Sequence, residues 1–312
     1  MEPIIEPIPI ELIEQELTAE RLLRHTNKAG NEIYVVTAHN APNTMREIGR
    51  LREVTFRAAG GGTGKACDID QFDLMVPPCQ QLLVWNPEKH EIIGAYRFIC
   101  GWDVKVENGV PRIATGHLFN FSDRFLNEIL PVTIELGRSF VRPEYQATSA
   151  GVRALFALDN LWDGLGALTI IYPQVKYMFG KMTMYPNYVR DCRNMLLCFL
   201  NLYFQDKEGL VVPIDPLPDS RNNDPELMAH FVGNDFREDY KRLNTFIRQH
   251  GINIPPLVNA YMGLSPKMRM LGTAINREFG DVEETGILIN IDEIADEKKR
   301  RHIDSYLEHI DQ

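Results

Sequence analysis

The stretch IELGRSFVRPEY, residues 134–145, places two charged side chains inside an apolar segment. Its composition is typical of a β-strand, which we predict over residues 132–141. Glu135 and Arg138 interrupt that strand. A charge in the middle of an apolar strand is costly unless a partner neutralises it. The segment therefore predicts a buried charged site on the surface of a sheet.

Residues of opposite charge occur in three other segments. LREVTF (51–56) sets Arg52 and Phe56 four residues apart, on one face of a predicted helix. Asp70 and Asp73 follow in CDIDQFD (67–73), and Arg97 lies inside the predicted strand IIGAYRFIC (92–100). We expect acidic and basic members to pair around one cleft: Asp70, Asp73 and Glu135 with Arg52, Arg97 and Arg138. The spacing alone leaves two interpretations, an ion-pair network that only stabilises the fold and a functional site.

Strand and helix patterns alternate along the chain. Strands are predicted over residues 32–38, 81–85, 91–100, 132–141, 174–184 and 285–291, and helices over 11–25, 44–59, 122–130, 149–168, 187–204, 225–250 and 294–310. This order predicts an α/β fold in which helices flank a mixed, twisted central sheet. The predicted parts are an N-terminal helical extension (1–31), the α/β domain (32–292) with a helical insertion at about 187–265 before the last strand, and a C-terminal helix (293–312).

Composition limits the class of protein. The chain has 312 residues, of which 44% are hydrophobic and 24% charged, so it is neither disordered throughout nor fibrous. A net charge of −10 disfavours nucleic-acid binding. Five cysteines without a CxxC pair, and scattered histidines, predict no disulfide framework and no metal site. Without a signal peptide or an apolar run of about 20 residues, a cytoplasmic protein is expected, with peripheral contact at the inner membrane as the alternative.

The glycine-rich segment GGGTGK, residues 60–65, invites comparison with a phosphate-binding loop. The full motif needs glycine at position 59 and serine or threonine at position 66, where this chain has Ala59 and Ala66. The segment also follows a predicted helix instead of a strand. A turn or a flexible lid is therefore the better interpretation.

Taken together, the charged segments resemble the acyl-carrier-protein-dependent N-acyltransferases of the GNAT superfamily. This family includes ornithine and glycine N-acyltransferases of bacterial aminolipid synthesis, also labelled haemolysin-like, and distantly the acyl-homoserine-lactone synthases. The resemblance rests on LREVTF (51–56), DIDQFD (68–73), GAYRF (94–98), IELGRSFVRPEY (134–145) and REFGDVEETGILINI (277–291). It implies a GNAT fold and an acyltransferase of lipid biosynthesis. The implied reaction moves a long acyl chain, 3-hydroxylated or not, from acyl carrier protein to the α-amine of ornithine or glycine.

The resemblance also assigns roles to residues. Glu135 is the first candidate for the base that deprotonates the amine, and Asp70 is the second. Guanidinium groups are expected to bind the carboxylate of an amino-acid acceptor. The implied substrate-binding set is Arg52, Phe56, Asp73, Arg97 and Arg138. The backbone amides expected to bind the oxyanion and the pantetheine are those of Phe140, Val141 and Arg142.

The donor is indicated by a departure from the family pattern. The phosphate-binding turn of coenzyme-A-dependent GNAT enzymes maps onto QATSAG, residues 146–151, and Ser149 stands where they have their first glycine. Acyl carrier protein offers one phosphate diester instead of a pyrophosphate, so this turn favours it over coenzyme A. No bound cofactor is expected. The residues expected to hold the phosphate are Gln146, Thr148, Ser149 and Gly151.

Two features near residue 190 leave alternatives open. MLLCFLNLYF, residues 195–204, is either a buried helix or the lining of an acyl tunnel or membrane-facing surface. A basic group nearby is either a docking patch for an acidic carrier protein or ordinary solvated surface. Its members are Lys176, Lys181, Arg190 and Arg193. The rival functions are a coenzyme-A-dependent N-acyltransferase, a signal synthase acting on another amine, and a non-catalytic acyl- or lipid-binding module.

Overall fold

An eight-stranded sheet forms the centre of the protein. The computed structural model describes residues 1–146, 152–218 and 221–310. Its strands are β1 (Leu22–His25), β2 (Glu32–Val36), β3 (Gln80–Asn86), β4 (Glu91–Cys100), β5 (Val106–Glu107), β6 (Val110–Pro111), β7 (Phe119–Phe121), β8 (Thr133–Val141), β9 (Tyr177–Met184), β10 (Val211–Pro213), β11 (Arg269–Asn276) and β12 (Val282–Asn290). Its α-helices are α1 (Ile10–Glu16), α2 (Pro42–Ala59), α3 (Gln71–Leu74), α4 (Val152–Ile171), α5 (Arg190–Phe204), α6 (Pro225–Met228), α7 (Phe236–Gln249), α8 (Pro256–Met262), α9 (Asp296–Lys299) and α10 (Ser305–Ile310).

The strand order in the large sheet is β1-β2-β3-β4-β8-β9-β12-β11. Neighbouring strands are antiparallel except β8 and β9, which run parallel. The parallel pairing extends only from Thr133 opposite Tyr177 to Glu135 opposite Phe179. Beyond Glu135, β8 continues along β4 while β9 continues along β12, so the sheet splits at its centre. The predicted mixed α/β sheet flanked by helices is confirmed.

The two faces of the sheet are covered differently. Helices α4, α5, α7 and α8 bury one face against residues such as Leu82 and Phe98. On the opposite face, α2 packs one apolar cluster around Ile48 and Phe140, and the segment from residue 113 to 130 packs another around Phe179. Each fully buried aliphatic or aromatic side chain stabilises the fold by about 1.5–3 kcal/mol. The charged residues singled out from the sequence lie between these two apolar clusters.

The N-terminal helical extension is only partly correct. The predicted helix over residues 11–25 is confined to α1, and residues 22–25 form β1, which pairs with β2 in the large sheet. Leu12, Leu17 and Leu22 are spaced five residues apart, a spacing that cannot keep one helix face apolar. The sheet therefore begins before the predicted boundary at residue 32.

The helical insertion precedes two strands instead of one. β11 was missed because its register with β12 shifts between Met270 and Thr273, and Gly272 there has a φ of +94°, so the alternation of side chains is interrupted. The predicted helix over 225–250 is two helices, α6 and α7, separated where Gly233 has a φ of +88°. Asp235 then caps α7 by accepting the N–H of Glu238 at 3.0 Å.

The apolar helix α5 is a buried helix. Residues 192–200 are all buried, and α5 packs against α6, α7 and β11. Phe199 contacts the rings of Phe231 and Phe236 at centroid distances of 5.6 and 5.4 Å. The interpretation as a membrane-facing surface is therefore wrong for residues 192–200, whereas the lining of an acyl tunnel stays a prediction. Within the three described ranges, no helix has the length and apolar character needed to cross a membrane.

The glycine-rich segment is a turn held against α2. Oε1 of Glu53 accepts the N–H of Thr63 at 2.9 Å. Gly61 lies so close to Tyr185 that a Cβ atom at position 61 would meet its ring at 2.9 Å. Gly60 and Gly62 adopt positive φ angles of 96° and 100°, which explains their residue type.

Candidate active site

A buried arginine on α2 holds three segments together. Nη1 of Arg52 donates to the backbone oxygen of Asp68 and to Oδ2 of Asp73, both at 3.0 Å. Its Nη2 donates to Oε1 of Gln81 on β3 at 2.7 Å. The amide of Gln81 donates in turn to Oδ1 of Asp73 at 3.0 Å. Arg52 thus connects α2, β3 and α3 through groups that are all inside the protein.

The Asp-x2-Asp spacing forms a capping box at the start of α3. Oδ1 of Asp70 accepts the N–H of Phe72 at 2.9 Å and that of Asp73 at 3.3 Å. Oδ2 of Asp73 accepts the N–H of Asp70 at 3.1 Å. This reciprocal pair satisfies free donors of the helix and fixes the direction of both carboxylates.

Arg97 on β4 binds both of these carboxylates. Its Nη1 lies 2.7 Å from Oδ2 of Asp70 and 3.3 Å from Oδ2 of Asp73. Burial opposes the ionisation of Asp73, but the charges of Arg52 and Arg97 outweigh it and hold the pKa of Asp73 well below its usual range. Burial also opposes the charge of Asp70, and Arg97 again lowers its pKa. Because a carboxylate held ionised by arginines is a weak proton acceptor, these surroundings disfavour Asp70 as the base.

Arg138 completes the group from β8. Its Nε lies 2.8 Å from Oδ2 of Asp68, and its guanidinium carbon lies 4.5 Å from the centre of the Phe279 ring. Its backbone has a φ of 47°, at the point where the register of β4 and β8 shifts. Such a left-handed conformation costs about 1–3 kcal/mol, and the ion pair and the ring contact hold it in place. We call the connected set Arg52, Asp68, Asp70, Asp73, Arg97 and Arg138 the charged cluster.

Phe56, predicted to bind substrate, lies in the apolar packing beside the charged cluster. It is 5% exposed, and its ring meets Phe279 at a centroid distance of 5.1 Å and Phe140 at 6.5 Å. The same Phe279 ring contacts Arg138. Phe56 therefore supports the ring on which this arginine rests.

Glu135 lies next to the charged cluster but outside its ion pairs. It is 2% exposed, and its Oε1 accepts the N–H of Thr115 at 3.2 Å and the Thr115 hydroxyl at 3.1 Å. Among the described residues, no basic nitrogen lies within 4.0 Å of its carboxylate. Burial raises the pKa of Glu135, and the charge of Arg97 and the Thr115 hydrogen bonds offset this only in part. A buried carboxylate with a raised pKa is suited to accept a proton from an ammonium group.

A second buried ion pair lies on the same face of the sheet. Lys181 on β9 is two residues beyond Phe179, which is opposite Glu135, so Lys181 and Glu135 share a face. Nζ of Lys181 lies 2.6 Å from Oε2 of Glu284 on β12. Asn276 of β11 donates to the other oxygen of Glu284 at 3.3 Å. Burial lowers the pKa of Lys181, and Glu284 partly counters this.

The predicted basic docking patch is therefore wrong in two of its members. The side chain of Lys181 is 9% exposed, and that of Arg193 is 7% exposed and lies 3.4 Å from Glu283. Lys176 and Arg190 are exposed. Side chains of a strand alternate between its buried and its exposed face, so the position of a lysine in that alternation decides whether it points inward. The residue type alone does not reveal this position.

The backbone amides predicted for the oxyanion are partly occupied. The N–H of Arg142 donates to the backbone oxygen of Ile93 at 2.9 Å, so it is not available to a substrate. Phe140 and Val141 lie opposite Ala95 and Gly94 of β4. The prediction placed the divergence of the strands too late, because β9 leaves β8 directly after Glu135. The edge of β8 facing the split begins at residue 136.

The predicted phosphate-binding turn is described only at its start. The side chain of Gln146 donates to the backbone oxygen of Val141. Thr148, Ser149 and Gly151 lie outside the described residues. Their predicted role stays a prediction.

Sequence reasoning missed Thr115, Gln81 and Glu284. Thr115 lies in an irregular segment that shows no periodicity, and no motif relates it to Glu135. Glu284 falls within the segment 277–291 that was quoted for the resemblance, but it received no role. Glu284 gave no signal of a charge inside an apolar strand because the predicted strand began at residue 285, whereas the observed strand begins at Val282.

No group of three or more histidine, cysteine, aspartate or glutamate residues within the described ranges is arranged to hold a metal ion. A cavity of about 140 Å³ lies away from the charged cluster, between α4, α8 and the C-terminal helices. It is lined by Leu158, Asp159, Trp162, Ala260, Leu264, Lys298 and His302.

Comparisons with known proteins show which proteins this chain resembles. The family described as "Acetyltransferase (GNAT) domain" matches residues 51–155. A glycine N(alpha)-acyltransferase of Bacteroides thetaiotaomicron is 61% identical over 309 residues, covering 99% of this chain and 91% of that protein. One of Phocaeicola vulgatus is 60% identical, covering 98% and 94%. The solved AHL synthase LasI is 13% identical over 50% of this chain and 74% of its own, with a TM-score of 0.27.

Proposed function

The chain belongs to the N-acyltransferases of the GNAT superfamily, and we propose that it transfers a long acyl chain from acyl carrier protein to the α-amine of glycine. N-acyl transfer to an amine is its class of reaction. Glycine as the acceptor is supported by the names of two relatives that are 61% and 60% identical along nearly the whole chain. The product is an N-acyl amino acid, which assigns the enzyme to aminolipid synthesis.

One observation carries the proposal within this structure: Glu135 is a buried carboxylate without an ion-pair partner among the described residues, at the point where the sheet splits. Glycine enters with a protonated amine. Glu135 accepts one proton, and the neutral amine attacks the thioester carbonyl carbon. The new N–C bond forms, the C–S bond breaks, and the electron pair leaves on sulfur. A second proton passes from nitrogen to the thiolate, and Glu135 releases its proton to solvent.

The tetrahedral intermediate carries an oxyanion that needs aimed donors. The edge of β8 beyond Glu135 has no strand partner on the side of β9 among the described residues, so its backbone groups are candidates. Within the charged cluster, each arginine forms an ion pair with an aspartate of the same cluster. The cluster therefore stabilises the site as a whole. Because these arginines are already neutralised by aspartates, they attract a substrate carboxylate less strongly than unpaired arginines would.

Acyl carrier protein as the donor is supported by the sequence at residues 146–151, which replaces the first glycine of the coenzyme A turn by Ser149. The turn lacks the residue that lets backbone and pyrophosphate approach closely.

The test is turnover by the purified chain with palmitoyl-acyl-carrier-protein and a panel of amino acids, with products identified by mass spectrometry. N-palmitoylglycine should dominate, and palmitoyl-coenzyme A should be a much poorer donor. Preferred acylation of another amine would overturn the acceptor assignment. Equal turnover with coenzyme A would overturn the donor assignment, and no turnover with any amine would support a binding module.

A further inference from the structure

Gly137 differs from the other glycines in the centre of the sheet. A Cβ atom placed on Gly94 would meet the backbone oxygen of Phe140 at 2.5 Å, and one on Gly180 would meet that of Leu136 at 3.0 Å. A Cβ atom on Gly137 would meet no atom of the described residues within 4 Å. Its φ lies outside the left-handed region, so neither backbone conformation nor close packing explains the glycine.

The open space above Gly137 lies beside Glu135, the proposed base. Gly137 is directly opposite Arg97 and two residues beyond Glu135, so all three share one face of the sheet. Same-face neighbours in a strand are about 7 Å apart, within reach of an extended glutamate side chain. β9 has diverged here, and Lys181, paired with Glu284, lies on the same face across the split.

Charge supports an ammonium group as the occupant of this space. The charged cluster has three arginines and three aspartates, and Lys181 is balanced by Glu284. Glu135 is a buried carboxylate, and among the described residues no basic side chain forms an ion pair with it. A cation placed over Gly137 would be the missing counter-ion.

We propose that the space over Gly137 seats the amine and the α-carbon of the acceptor, and that the absence of a side chain at position 137 sets the size of acceptor that reaches Glu135. This inference rests on the proposed function, because it takes the acceptor to be a small amino acid. At position 137 the space is bounded by backbone alone, so even one methyl group there would take the room of the acceptor's α-carbon. One misplaced methyl group is worth about 10- to 200-fold in specificity.

The test compares Gly137→Ala and Gly137→Val with Gly263→Ala. Gly263 is exposed at the end of α8, and a Cβ atom there makes only ordinary contacts at 3.5 Å or more. Thermal unfolding and kcat/KM for glycine are measured for all four proteins, at saturating acyl-carrier-protein thioester. Gly137→Ala should unfold at the wild-type temperature yet lose at least tenfold in kcat/KM for glycine. Gly137→Val should lose more, and Gly263→Ala should match wild type.

A folded Gly137→Ala enzyme whose kcat/KM for glycine is within twofold of the wild-type value would overturn the inference. Failure of Gly137→Ala to fold would also overturn it, because protein atoms would then already fill the space over Gly137. If wild type acylates an amine other than glycine, the proposed acceptor fails. The kcat/KM of the same three variants is then measured with that amine. Failure of the proposed acceptor is thereby distinguished from failure of the inference about Gly137.

Discussion

Thr115 donates both its backbone N–H and its hydroxyl to the same oxygen of Glu135, at 3.2 and 3.1 Å. Both hydrogen bonds favour the ionised carboxylate and fix its direction. They connect an irregular segment outside the sheet to the strand where the sheet splits. The orientation of the predicted base is therefore set by a residue that lies 20 positions earlier in the chain.

Replacing Glu135 by glutamine separates catalysis from folding. In Glu135→Gln the amide oxygen still accepts from Thr115, so the fold should persist, but the side chain no longer accepts a proton. We expect kcat with glycine to fall by about 10²–10⁴. Steady-state kinetics and circular dichroism of the same preparation check this. Undiminished turnover by the folded variant would remove Glu135 from the mechanism.

The pH dependence should report the surroundings of Glu135. Burial raises its pKa above the ordinary value of 4.5, and the charges of Arg97 and Lys181 and the hydrogen bonds from Thr115 offset this rise only in part. As a base it works when deprotonated, so kcat/KM should rise with pH through this raised pKa. Thr115→Val removes one hydrogen bond to the ionised form and should move the rise to higher pH.

The control for this shift is Thr133→Val on the same strand as Glu135, since the Thr133 hydroxyl donates to the backbone oxygen of Ile129 at 2.7 Å instead. Its pH profile should match wild type. If the pH profile of Thr115→Val coincided with those of wild type and Thr133→Val, a group other than Glu135 would set the rise of kcat/KM with pH.

How far the sequence predicts this site depends on which force placed each residue. Arg97 and Arg138 were found because a charge inside an apolar strand must be paired, and Arg52 and Asp73 were expected among the residues that pair with such charges. The structure pairs all four. Lys181 was grouped with Lys176, Arg190 and Arg193 because the four lie near one another in the sequence, although strand parity turns it inward against Glu284. Thr115 had no local signal, since its role comes entirely from tertiary contact.

The same distinction holds for the fold. The central strands β3, β4, β8 and β9 were predicted near their observed bounds because apolar residues recur along them. β11 was missed because a bulge at Gly272 breaks its alternation, and β1 because its leucines resemble a continuation of a helix. Bulges and short edge strands are fixed by their partners, which a single sequence does not display.

Asp73 should matter more for stability than for chemistry. Asp73→Asn leaves Arg52 and Arg97 buried with one countercharge fewer, which we expect to cost about 3–5 kcal/mol of unfolding free energy. The folded pKa of Asp73 is lowered, so its contribution is complete above the ordinary value of 3.8 and is lost as pH falls through the folded pKa. The stability gap between wild type and variant should therefore narrow below pH 3.8.

Chemical denaturation at several pH values measures this gap, with Asp215→Asn as the control. Asp215 forms an exposed ion pair with Arg277 at 3.1 Å, and such pairs are worth about 1 kcal/mol or less. A gap for Asp73→Asn no larger than that of the control would show that the ion pairs of the charged cluster contribute little.

The buried pair of Lys181 and Glu284 permits a charge exchange. Lys181→Glu sets two carboxylates together at a site that is 9% and 1% exposed, so unfolding free energy should fall by about 3–5 kcal/mol. The double variant Lys181→Glu, Glu284→Lys restores opposite charges and should recover at least half of the loss. Lys176→Glu, at an exposed position just before β9, should leave stability unchanged. If Lys181 instead docked the carrier protein, Lys181→Glu would unfold at the wild-type temperature and raise the KM for that donor at low salt. The double variant Lys181→Glu, Glu284→Lys would then leave the KM for the donor raised.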